Sequence, residues 1–250
     1  APITIGKEVA KNGQIKAVML NNKISNVCAE NGIDDCREVC EALGKLIDAP
    51  GAQILPASTG IIGWRIPVGD IIENLPEMVS SLQSDSIYSV SKAIMTTDLY
   101  PKIRRAEVDG VSITGIAKGA GMIEPNLATM LVFILTDGII RKENLDRAFR
   151  SAVELSFYSI SIDSDQSTSD LALCLSSGVK TIKDEGRFAD SLRKLCESLA
   201  TDIVRNGEGV KHVIEVDVTN APSVEIAKSA GKSVINSPLA TSESNCPTPI

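Results

Sequence analysis

The hydrophobic pattern of the chain changes period along its length. Ile33, Cys36, Cys40, Leu43 and Ile47 recur at steps of three and four, with acids and bases between them, which predicts an amphipathic helix over 33–47. Ile71, Ile72, Leu75, Met78, Val79 and Leu82 predict a second helix over 70–82. Leu145, Ala148, Phe149, Ala152 and Val153 predict one over 142–155, and Phe188, Leu192, Leu195, Leu199 and Ile203 the clearest, over 187–204. Ser223, preceded by Pro222, is placed to cap a last helix. Strand signals lie between these. Residues 16–20 read as a short strand and 52–55 as a short apolar run, while 88–95 fits helix or strand. "AEVDGVSITGIAK" is a hairpin signal, with Asp109-Gly110 suited to a type I′ turn. Residues 129–135 form the apolar run of a buried strand, and "SFYSISID" and 210–218 alternate as strands. The tail over 237–250 is polar, contains proline and reads as loose. Strands and helices intermix without a strict βαβ repeat, an internal repeat or a linker. An α/β (α+β layered) fold in one body follows.

Composition narrows the function. In 250 residues, 43% are hydrophobic and 23% charged, enough to bury a sizeable core. Aromatics are only 3%, so the core is aliphatic and stacking platforms for single-stranded nucleic acid are disfavoured. A net charge of −7 without a dense Lys/Arg cluster argues against nucleic acid and anionic membranes as partners. No apolar run approaches a membrane-spanning length. The first residues show no secretory or transit pattern and no initiator Met, as a processed end or internal start would. Cys28, Cys36, Cys40, Cys174, Cys196 and Cys246 have no CxxC pairing and read as small hydrophobes in a reducing, cytoplasmic setting. His212 is the single histidine, so multi-His metal sites are excluded, and its alternating context reads as a strand face.

The chemistry concentrates around "KGAGMIEPNLATMLVFILTD" (118–137). Gly119-x-Gly121 is too short for a dinucleotide fingerprint, and no phosphate loop exists. Ser58, Thr59, Thr96, Thr97, Thr114 and Thr129 lie close to Gly, Ala or Pro, where hydroxyl residues usually form turns. There is no GxSxG elbow, and a Ser-His-Asp triad would depend on His212 alone. One route to an active hydroxyl needs no histidine. If the chain is cut before a Thr, the new α-amino group serves as that residue's own base, and its reference pKa of about 7.7–8.0 suits work at neutral pH. Such a site asks for a small preceding residue and a glycine-flexible approach, and Ala128-Thr129 has both. The plainer alternative is a turn entering a buried strand, with Thr129 bonded to neighbouring backbone. The acidic "IDSDQSTSD" has the composition of a cation loop but lacks the EF-hand Gly and terminal Glu. Asp163, Asp165 and Asp170 therefore read as helix caps or partners of backbone groups.

Five stretches in order resemble one family. "PASTGIIG", "AIMTTDLYPK", "KGAGMIEPNLATML", "SFYSISIDSDQSTSD" and "NGEGVKH" are similar to motifs of the self-cleaving ornithine acetyltransferases, the glutamate N-acetyltransferases of the ArgJ type. The match runs from about residue 17 to about residue 240. The resemblance implies an ArgJ/DmpA-like fold, with mixed sheets packed against helices. It implies cleavage between Ala128 and Thr129, giving an α-chain part (1–128) and a β-chain part (129–250) of one intertwined body. Thr129 would carry the acetyl group of N2-acetylornithine to glutamate, without metal or bound cofactor; some members also accept acetyl-CoA. Thr59 and Gly60 match the oxyanion pair, and Lys118 matches a substrate-binding lysine. Thr96, or Thr97 beside it, matches a substrate-binding threonine, and Glu208 an acidic position of the site. An α/β heterotetramer in the cytoplasm, or in a mitochondrial matrix, is the implied setting. The chain departs from the pattern too. "STSD" stands where "STND" is expected, the family's opening strands are not found, and "NSPLATSESNCPTPI" diverges after its first residues. A related N-terminal-nucleophile amidohydrolase or aminopeptidase, and an inactive truncated chain, are the alternative readings.

Overall fold

The fold is given by a computed structural model that describes residues 1–121, 130–162, 169–207 and 209–237. Helix α1 (Pro2–Asn12) leads into strand β1 (Ala17–Asn21), helix α2 (Gly32–Leu46) and strand β2 (Ile54–Ser58). Helices α3 (Val68–Ser80) and α4 (Tyr88–Ala93) precede strands β3 (Lys102–Val108), β4 (Val111–Lys118) and β5 (Leu131–Ile139). Helix α5 (Lys142–Leu155), strand β6 (Leu171–Thr181), helix α6 (Glu185–Arg205) and helix α7 (Val224–Ile235) follow.

The main sheet has the order β3-β4-β5-β6 and is mixed. The β3–β4 and β4–β5 pairs are antiparallel, while β5 and β6 are parallel. A parallel pair needs a crossover, and α5 provides it. Successive side chains of a strand point to opposite faces, so a strand covered on both sides reads as a continuous apolar run. β5 does this: Val132 and Ile134 join Phe188, Leu192, Leu195 and Leu199 of α6 in one core. Leu131 and Phe133 join Ile5 and Val9 of α1 and Leu55 and Ala57 of β2 in another. A third core seats α2 and α3 on the parallel pair β1–β2, through Met19, Val39, Leu43, Ile54 and Leu75. The layers are therefore α5/α6, main sheet, α1 with β1–β2, then α2/α3.

The predicted helices stand within a few residues of their expected bounds, and the hairpin turns where expected, with Asp109 at φ 51° and Gly110 at φ 86°. Ser223 caps α7 by accepting the Ile226 N–H. Three expectations change. "SFYSISID" is not a strand over its described part: Phe157–Ser159 is a 3-10 turn that drops a fully buried Phe157 into the core, closed by Ser159 N–H donating to Ser156 C=O. Residues 210–218 alternate but form no strand among the described residues, so His212 is exposed and lies on no sheet. The start of the chain, where no element was expected, is helical. Pro2 stands in its first turn, Gly13 ends it at φ 72°, and Ile5 and Val9 bury one face.

Candidate active site

The N-terminal end of β5 is where separate parts of the chain meet. Lys118, the last residue of β4, pairs in register with Leu131 of β5 and is 1% exposed. Its ammonium donates to Thr96 Oγ1 at 3.2 Å and forms no ion pair among the described residues. Burial lowers its pKa to about 8, against the pull of the Asp98 and Asp170 carboxylates and with a small push from Lys102. Thr97, the alternative to Thr96, is exposed beside it.

A buried carboxylate organises this corner. Asp98 Oδ1 accepts the Gly119 N–H at 2.8 Å and the Lys102 ammonium at 2.5 Å, and Oδ2 accepts the Thr96 N–H at 3.1 Å. Burial raises the Asp98 pKa, but these donors outweigh it and hold the group below its ordinary range. Lys102 also donates to Asn206 Oδ1 at 2.6 Å, and the same oxygen accepts the Leu99 N–H at 3.1 Å. The Asp98–Lys102 side chains are fully buried, and burial lowers Lys102 despite its partner. One network thus binds the 96–102 segment, the end of β4 and the end of α6.

On the other side of β5, Asp170 stands directly before β6. Its Oδ1 accepts the Met130 N–H at 2.5 Å, and the Leu171 N–H donates to Met130 C=O at 3.0 Å. Asp170 is 6% exposed, and Oδ2 has no partner among the described residues. Burial raises its pKa to about 7, against the Met130 N–H and the Lys118 charge. The expectation that Asp170 binds a backbone group is met, at the residue that follows Thr129.

Thr59 and Gly60 continue from β2. Gly60 holds φ 123°, and a Cβ there would lie 2.2 Å from the Lys23 carbonyl carbon and oxygen, so only glycine fits. The N–H groups of Thr59 and Ile61 donate to Asn21 and Lys23 carbonyls, while Gly60 N–H makes no backbone bond among the described residues. Thr59 is 3% exposed and its Oγ1 is also unpartnered among them. Among the described residues no hydrogen bond joins either of them to Lys118 or Thr96. They reach that corner through Asn22, whose side-chain amide donates to the Ala93 and Met95 carbonyls at 2.8 Å, next to Thr96. Ala128, Thr129 and Glu208 lie outside the described residues, as do Asp163, Asp165 and Cys246.

Sequence reasoning missed Asp98, Lys102 and Asn206. "TTDLYPK" and "RNGEG" contain them, but nothing local says that an Asp and a Lys four apart will be buried together. The chemistry available is anion binding by a desolvated ammonium beside a hydroxyl; separately, two polar groups after β2 are unpartnered among the described residues. The described residues contain no group of side chains able to hold a metal ion. The described thiols are unpaired: Cys36, Cys40 and Cys196 are buried, and burial pushes Cys196 up to about 12, so it is no nucleophile.

The comparisons agree with one another. The ArgJ family profile matches residues 1–244. The arginine biosynthesis bifunctional protein ArgJ 2 of Clostridium acetobutylicum is 39% identical over 239 residues, covering 95% of this chain and 62% of its own length. The glutamate N-acetyltransferase of Methanococcus maripaludis is 39% identical over 249 residues, covering 95% of this chain and 61% of its own. A solved ornithine acetyltransferase from Mycobacterium tuberculosis, in complex with ornithine, is 28% identical with a TM-score of 0.48, covering 50% of this chain and 69% of that one. The chain spans about three-fifths of the length of the curated relatives it matches, at 62% and 61% of theirs. With the family profile matching almost every residue, this chain belongs to the ArgJ family.

Proposed function

We propose that this chain provides the nucleophile of an ornithine acetyltransferase, which moves the acetyl group of N2-acetylornithine to glutamate in arginine biosynthesis. Thr129 Oγ attacks the Ala128 carbonyl carbon. The new C–O bond replaces the Ala128–Thr129 amide, and the hydroxyl proton ends on the released amine. Water then hydrolyses the ester and frees a threonine with its own α-amino base. In turnover, Thr129 Oγ attacks the acetyl carbonyl of N2-acetylornithine. The α-amine takes the hydroxyl proton and passes it to the departing ornithine nitrogen, leaving an acetyl ester. The glutamate amine then attacks that ester, giving N-acetylglutamate and restoring the hydroxyl. Thr59 Oγ1 and Gly60 N–H hold the oxyanion of each tetrahedral intermediate; one such donor is worth about 3–4 kcal/mol in acyl transfer. Their lack of partners among the described residues supports that role. Thr96 and Glu208 complete the substrate contacts. The cleaved chains form an α/β heterotetramer in the cytoplasm.

The observation that carries this reading is the Lys118 ammonium, buried without an ion pair among the described residues, beside Thr96 and the start of β5. An unpaired buried cation is costly unless it has a ligand to meet, and the α-carboxylates of acetylornithine and glutamate are such ligands. The family and the names of the relatives agree. Intact-mass spectrometry of the purified protein should give two chains meeting at 128/129, and Thr129→Ala one. Ornithine release from acetylornithine should depend on glutamate. A single uncut chain, or release indifferent to glutamate, would remove the reading.

A further inference from the structure

The Lys118–Thr96 contact joins two segments that share no element: Lys118 ends β4, and Thr96 lies in the bend after α4. A lysine carries its charge on a flexible four-carbon stem, so the place of this ammonium depends on how the two main chains are held. One carboxylate holds both. Asp98 Oδ2 accepts the Thr96 N–H at 3.1 Å, and Oδ1 accepts the N–H of Gly119, the residue after Lys118, at 2.8 Å. The carboxylate is itself locked. Oδ1 also accepts the Lys102 ammonium at 2.5 Å, and Lys102 donates to Asn206 Oδ1, at the end of α6, at 2.6 Å. The Asp98 and Lys102 side chains are 0% exposed. Stability alone gives little reason for such a pair, since apolar residues of similar volume in place of a buried ion pair are often as stable or more so.

We propose that Asp98 is the positioning residue for Lys118 and Thr96 as a carboxylate-binding pair, and that Lys102 is its dedicated counter-charge. Asp98 sets the spacing of the two main chains, so that the ammonium and the hydroxyl meet one substrate carboxylate together. Thr96 Oγ1 accepts from the ammonium, which leaves the hydroxyl proton for a second acceptor. Lys102 neutralises Asp98, so the Lys118 charge is kept for the ligand rather than spent on its neighbour. Asp98 does not touch substrate; it acts through the two groups that do. This rests on the reading of Lys118 as the anchor of the acetylornithine carboxylate. The competing account is a plain scaffold, in which any stable replacement of the ion pair would serve the site as well.

The test is the pair variant Asp98→Asn with Lys102→Met, which removes both buried charges together. Asp98 favours the charged form of Lys118 and Lys102 disfavours it, so removing both reads geometry more than charge. The amide has one oxygen in place of two, and either the Thr96 or the Gly119 N–H then faces an NH2 group. The KM for N2-acetylornithine should rise about fivefold or more with a smaller effect on kcat, because ground-state binding is what is lost. KM does not depend on how much of the enzyme is folded, so the shift reads the site even in a less stable variant. Asp98→Asn alone, a smaller change, is the second variant and should shift KM the same way. Adding Lys118→Met to the pair variant should cost nothing further: the triple variant should match Lys118→Met alone, since a residue that acts through another gives non-additive effects. Wild-type KM in either folded variant, or effects of the pair variant and Lys118→Met that multiply, would overturn the inference and leave the acetyltransferase reading standing. A wild-type protein that releases no ornithine from acetylornithine removes that reading and this inference with it.

Discussion

A lysine ammonium moved out of water loses several kcal/mol of hydration, and its pKa records how much is returned. Among the described residues, Lys118 recovers a threonine hydroxyl and the pull of the Asp98 and Asp170 carboxylates, and titrates near 8. In the unfolded chain it titrates near 10.5, so between these values the unfolded state binds more protons. Its contribution to stability therefore rises from pH 8 to 10.5. If Lys118 meets a substrate carboxylate as proposed, substrate affinity runs the other way, because the carboxylate needs the ammonium. The KM for acetylornithine should climb above about pH 8, and Lys118→Met should raise KM at least tenfold at pH 7 with a smaller effect on kcat; steady-state profiles check both. Asp170 has the opposite slope. It titrates near 7 when folded against 3.8 unfolded, so the folded state holds the extra proton and stability is lost as pH rises between them. Melting temperatures at pH 5 and 7 should show Asp170→Asn gaining on the wild type at the higher pH. Lys102 differs from both, because it has a full partner. Lys102→Met strands the buried Asp98 charge and should cost about 3–5 kcal/mol, whereas adding Asp98→Asn should return much of it.

The elements carry their tolerance in what surrounds each glycine. At Gly115 of β4, a Cβ would stand 2.7 Å from Ile134 Cδ1 and Leu195 Cδ2 and 2.8 Å from Leu199 Cδ1. These are the ends of side chains, and they can shift. Gly115→Ala should push α6 slightly off the sheet and cost about 1–3 kcal/mol. At Gly60 the obstruction is the Lys23 backbone itself at 2.2 Å, with φ at 123°. Nothing there can yield without separating the end of β2 from the chain after β1. Gly60→Ala should therefore lose more stability than Gly115→Ala and should abolish turnover; urea midpoints rank the two. The difference lies in the neighbour, side chain in one case and main chain in the other.

At the scale of the molecule, β5 sits between β4 and β6, and the proposed cut falls between β4 and β5. The ladder from Ile113–Thr136 to Lys118–Leu131 would then join two chains. Both cores on either face of the sheet contain residues from before and after the cut. The cleaved pieces should co-elute in native size-exclusion chromatography and part only in denaturant. Glycine loops and an Ala-Thr junction can be spared a covalent link here, because the hydrophobic faces of β4 and β5 already hold the ends.

The periodicities of α2, α5 and α6 and the Asp109-Gly110 turn were legible because they are local. A 3.6-residue stripe or a left-handed turn is imposed by residues within a few positions of one another. The order of motifs around Ala128-Thr129 was legible for the same reason and identified the family. Local alternation failed where it had nothing to pair with. Residues 210–218 carry a strand pattern, but Val213 and Ile214 remain 50% and 43% exposed, since alternation supplies a face and only a neighbouring strand supplies the hydrogen bonds. The N-terminal helix carried its own signals, Pro2, Gly13 and the Ile5–Val9 spacing, but only β2 beneath it shows what that stripe covers. The roles of Asp98, Lys102, Asn206 and Asp170 depend on burial and on partners far along the chain. A carboxylate in "TTD" and one in "STSD" look alike in sequence; packing gave one three donors and, among the described residues, left the other with one bonded oxygen, on the Met130 N–H, and one unpartnered.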